Sequence, residues 1–104
     1  MKAPILVASL VWCLGVGATE AASEQRGFVF ARMHCAQCHA IDKFSESPLK
    51  IAPPFRTLHQ KYPIENLEEA LAEGISTGHP TMPEFRLQVD QIADFIAFLK
   101  TLER

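Results

Sequence analysis

Apolar residues along the chain recur with a helical rhythm. Val89, Ile92, Phe95, Ile96, Leu99 and Leu102 follow one another at three- and four-residue steps, with Phe98 widening the face, and predict an amphipathic helix over 89–102. Asp90 near its start and Lys100 near its end suit the helix dipole. Leu67 and Leu71 place a second helix over 66–73, with Gly74 as its terminator. Ser23 can cap a third over 24–33, whose bulky apolar residues are Phe28, Phe30 and Met33. Met33 is read as core packing. Gly27 lies inside that helix, where glycine costs about 1 kcal/mol relative to alanine, so it predicts close approach by another element. A short helix over 57–62 is stopped by Pro63. Ser45, Ser47, Pro48, Pro53 and Pro54 mark 40–56 as a loop, and Gly78, Pro80 and Pro83 mark a second. No stretch alternates as a strand would, and nothing repeats. The predicted class is all-α.

The first residues are patterned differently. Lys2 precedes an uncharged apolar stretch over 5–18, followed by small residues at Ala18, Ala21, Ala22 and Ser23. This is the pattern of a secretory signal peptide, assigned to 1–22 with the cut somewhere in 18–23, ahead of one domain over 23–104. The stretch falls short of the roughly 20 residues a membrane span needs, so no stable span is expected after cleavage, and the product is expected to be soluble and periplasmic. Of three cysteines, Cys13 leaves with the signal, and Cys35 and Cys38 remain. A mature chain of about 80 residues buries too little surface for a comfortable core and needs a staple, a metal or a cofactor.

Cys35-Ala36-Gln37-Cys38-His39 meets that need. Two cysteines three apart with histidine next are the arrangement that attaches a c-type haem, each thiol forming a thioether and the histidine ligating iron. A thioredoxin-like pair would want a preceding strand, and a zinc site two further paired ligands. His39 is therefore one axial ligand, and its second ring nitrogen should donate to a backbone carbonyl, for which Pro53 is the candidate. The opposite ligand must come from far along the chain. Met82, between Pro80 and Pro83, offers a soft thioether that favours ferrous iron; His79 in the same loop is its rival. His34 and His59 are expected at the surface or behind the ligands.

With these residues in view the chain resembles a small class I, monohaem cytochrome c over essentially all of 24–102. Gly27 stands eight residues before Cys35 as the family's helix glycine does, Ala52-Pro53-Pro54-Phe55 resembles its proline loop, Gly78 through Met82-Pro83-Glu84-Phe85 its methionine loop, and 92–99 its last helix. An aromatic is usual four residues before the first cysteine; Ala31 stands there, with Phe30 beside it. The resemblance implies the cytochrome c fold, several short helices wrapped around one covalently attached haem c with the terminal helices crossing near the glycine. It also implies a one-electron carrier rather than an enzyme.

Net charge is −2, which gives no general affinity for nucleic acid. Between Arg26 and Lys61 there are six basic residues against two acidic, and from Ile64 onward eight acidic against three basic. Such asymmetry can steer encounter with a charged redox protein. The expected product is a monomeric carrier between redox proteins. The competing functions are a haem enzyme or sensor with an open sixth position, a dedicated cytochrome subunit of a dehydrogenase or oxidase complex, and a thiol–disulfide protein.

Overall fold

Ser23 begins the first helix: its Oγ accepts from the Arg26 N–H at 3.1 Å, and Glu24 sets a negative charge at the positive end. In the computed structural model, which describes residues 2–11, 21–75 and 81–104, helix α1 spans Glu24–His34. Residues 2–11 are exposed and carry no regular structure. A 3₁₀ helix at Phe55–Gln60 and a 3₁₀ turn at Ile64–Asn66 lead into α2, Leu67–Glu73, and α3, Val89–Thr101, closes the chain. Among the described residues there is no strand, so the fold is all-α as the periodicity predicts. The short helix begins two residues earlier than expected because Pro54, extended at φ −58° and ψ 138°, sets its start, and Thr57 Oγ1 donates to the Pro54 carbonyl at 2.7 Å. Gly74 ends α2 at φ 103°, a left-handed conformation that glycine adopts without steric cost.

The fold is built on the crossing of α1 and α3. Gly27 and Ala31, one turn apart, are both buried in α1. A Cβ on Gly27 would strike the Asp94 carbonyl and stand 2.7 Å from Phe98 Cβ, so the close approach predicted for this glycine is present. Ala31 is fully buried, and the aromatic mass lies on either side of it. Phe28 meets Phe98 edge-on at 5.6 Å, and Phe30 meets Phe95 at 5.5 Å. Asp94, buried within this crossing, accepts from the Ser23 N–H at 2.7 Å and from Arg26 Nε and Nη2 at 2.8 and 3.1 Å. The Arg26 guanidinium bonded to it holds the carboxyl below the usual range, with the Ser23 N–H adding to the effect.

Ile92, Phe95, Ile96, Phe98, Leu99 and Leu102 form the buried face of the last helix and pack with Leu58, Ile64 and Leu71. Two expectations are corrected. Val89 is 83% exposed, because it sits in the first turn, before the buried stripe starts at Ile92. Met33 is 70% exposed rather than in the core; it lies about 200° around α1 from Ala31 and so faces away from the crossing. No helix among the described residues is long and apolar enough to cross a membrane.

Candidate functional site

Helix α1 does not simply stop at its cysteine motif. The Cys35 and Ala36 N–H groups both donate to the Ala31 carbonyl, at 2.8 and 2.9 Å, and the Cys38 and His39 N–H groups to the Cys35 carbonyl, at 3.1 and 2.9 Å. These bonds wind the motif into one further turn, which brings Cys35, Cys38 and His39 to the wall of a single cavity. The following loop is tied down beside it. Leu49 N–H donates to the Cys38 carbonyl at 3.1 Å and Phe55 N–H to the Ala40 carbonyl at 2.9 Å, while Ala40 N–H donates to Ser47 Oγ at 3.0 Å.

That loop delivers the Pro53 carbonyl to His39, whose Nδ1–H donates to it at 2.8 Å. A carbonyl oxygen can only accept, so Nδ1 carries the proton and Nε2 keeps its lone pair, the tautomer a metal-ligating imidazole requires. Phe55 packs on the same ring with centroids 4.8 Å apart, restricting its rotation.

The cavity measures about 480 Å³, and its lining is mostly apolar, including Phe30, Leu58, Leu71, Ile75 and Phe95. Thr81, Met82 and Pro83 line it too, so the chain brings Met82 to the same space as His39 across 43 residues of sequence. Leu49 and Ile51, partly exposed, also line it. Volume and polarity suit a large, flat, apolar group, and the donors on the wall are two thiols, an imidazole and a thioether. The residues fit a covalently attached haem. Burial, with a smaller effect from the neighbouring Cys38, pushes the Cys35 thiol up to about 12, the opposite direction from the lowered thiol of redox-active pairs with this spacing.

The other histidines separate. His34 lines the cavity and packs on Phe30 at 4.8 Å and Phe85 at 6.1 Å. His59 is half-buried, and its Nδ1 is enclosed without a hydrogen-bond partner among the described residues. His79, with Gly78 and Pro80, lies outside the described residues, as do Cys13 and Ala18. The sequence pointed to Phe85 only as part of the methionine loop and to His34 only as a surface or supporting residue; both line the cavity, as does Tyr62.

An all-helical crevice with an attachment motif on its wall defines a class of haem protein. The sequence pattern of the cytochrome c family matches residues 25–103, and the chain belongs to that family. Membership brings covalently attached haem c and the role of a haem-binding electron carrier. A search of curated proteins found no match.

Proposed function

We propose that the chain is an exported, soluble, monomeric cytochrome carrying single electrons between redox proteins. Cys35 and Cys38 are the thioether attachments, and His39 and Met82 the axial ligands. The observation that carries this reading is one cavity lined both by His39, its Nδ1–H held by the Pro53 carbonyl at 2.8 Å, and by Met82. Bound haem c supplies an iron that exchanges one electron. His39 brings an oriented imidazole lone pair, and Met82 a neutral sulfur that favours the reduced state and raises the potential relative to a second imidazole. The apolar lining keeps water out and adds to that preference. With both axial positions taken by side chains of the chain itself, no place is left for a substrate, so the reading is a carrier and not an enzyme. Support for export comes from Lys2, the apolar run over 5–18 and the small residues after it.

The test is the absorption spectrum of the purified holoprotein in both redox states, wild type beside Met82→Ala. Wild type should be low-spin, with the weak long-wavelength ferric band of a methionine–iron bond; Met82→Ala should lose that band and take up added ligands. An unchanged spectrum and potential in Met82→Ala would transfer the position to His79 or another group and refute this assignment.

A further inference from the structure

On its C-terminal side, the segment that carries Met82 is fastened at few points among the described residues. Between Met82 and Leu87 the backbone bond to another element is the Leu87 N–H donating to the Leu71 carbonyl at 2.9 Å. Among the described residues, Glu84 and Arg86 pair with each other, loosely, at 3.9 Å and with both side chains exposed. Five residues of extended chain reach about 16 Å, so from its C-terminal side the anchor at Leu87 restrains the Met82 sulfur only loosely. Phe85 shortens that leash to three residues, about 10 Å. Its ring lies edge-on to Phe30 at 6.4 Å and to His34 at 6.1 Å, both on α1. Phe30 and His34 are themselves in contact at 4.8 Å, and Phe30 is backed by Phe95 at 5.5 Å. The three clasping rings all line the cavity.

We propose that Phe85, clasped by Phe30 and His34, is a positioning residue that holds Met82 in the cavity, so that the last turns of α1 set how readily the Met82 sulfur gives way to another ligand. The inference rests on Met82 being the axial ligand. It assigns to α1 a second task besides presenting the cysteines: the helix that carries the attachment motif also restrains the segment bearing the opposite ligand. Two edge-on ring contacts together are worth roughly a tenfold change in the balance between held and released states.

The experiment titrates ferric holoprotein with imidazole, which competes with the Met82 sulfur, following the methionine–iron band and recording thermal unfolding of each variant. Phe85→Ala should bind imidazole about tenfold more tightly than wild type, and His34→Ala, which removes one of the two contacts at an exposed position, about threefold. Phe85→Tyr, which keeps the ring, should stay within about twofold. Leu102→Ala, buried in the core away from the cavity, provides a variant that is destabilised without touching the clasp, and it should leave the affinity within about twofold. Unchanged affinity in Phe85→Ala, or an equal rise in Leu102→Ala, overturns the proposal. A Met82→Ala variant that binds imidazole no more tightly than wild type overturns the ligand assignment itself, a failure distinct from that of the clasp.

Discussion

Asp94 is the residue whose chemistry departs most from its surroundings: a carboxylate buried in an apolar helix crossing, satisfied by three donors. Because its native pKa is lowered by Arg26 and the Ser23 N–H, its stabilisation is fully present above the ordinary carboxylate value of about 4. It is lost as the pH falls below that value and through the lower native one. Asp94→Asn should therefore cost about 1–3 kcal/mol at neutral pH, and its stability should fall less steeply than that of wild type as the pH drops below about 4. Denaturant unfolding at a series of pH values measures both; parallel curves would refute the assignment. The Arg26–Asp94 pair was not legible in the sequence, because its partners stand 68 residues apart and each reads as an ordinary surface charge. The cysteine motif was legible because covalent chemistry fixes its spacing at two intervening residues, a constraint that survives without any fold. Between these extremes lies the Pro53 carbonyl, where a proline pair signalled the loop but the donor at 2.8 Å is a matter of tertiary placement.

At the scale of elements, one helix pair decides the architecture. α1 and α3 approach so closely at Gly27 that a methyl group has no room against the Asp94 carbonyl and Phe98 Cβ. Gly27→Ala gains helix propensity of about 1 kcal/mol, yet forcing the helices apart costs about 1–3 kcal/mol or more. The crossing also carries Phe30, Ala31 and the Asp94 bonds, so the expected outcome is net destabilisation, read as a lowered denaturant midpoint with an unchanged slope. A more stable Gly27→Ala would mean the crossing is looser than this contact requires. Gly74→Ala should be milder, about 1–2 kcal/mol, from the left-handed conformation at φ 103°. Helix positions were readable because the 3.6-residue period survives in each amphipathic stretch. Which apolar residues would be covered was not: Met33 and Val89 satisfy composition, but burial depends on where a neighbouring element ends, and periodicity carries no information on that. The Gln88–Gln91 capping box that starts α3 was equally hidden, glutamine being a weak signal at that position.

For the molecule as a whole, two facts pull on its electrostatics in opposite directions. Net charge is −2, which repels an anion at long range. Beside the cavity there is exposed positive charge. Arg26 is committed to Asp94 and Arg56 to the Ser45 carbonyl, and Lys100 to Glu65, but Lys43, Lys50 and Lys61 are exposed and make no ion pair among the described residues. Lys50 stands between Leu49 and Ile51, both of which line the cavity and reach the surface. At ionic strengths of about 0.1 M, charges beyond roughly 10 Å are screened, so an encounter at this rim is governed by Lys50 and its neighbours rather than by the sum over the chain. Oxidation of the reduced holoprotein by an anionic iron–cyanide complex should accordingly slow as salt is raised, and oxidation by a cationic cobalt complex should quicken. Lys50→Glu changes the local charge by two units while leaving every buried contact in place. It should flatten or invert the first dependence without altering the absorption spectrum. Stopped-flow rates at four or five ionic strengths decide the matter. If the anionic reagent speeds up with salt in the wild type, net charge controls the encounter, and the basic rim has no part in guiding partners to the cavity.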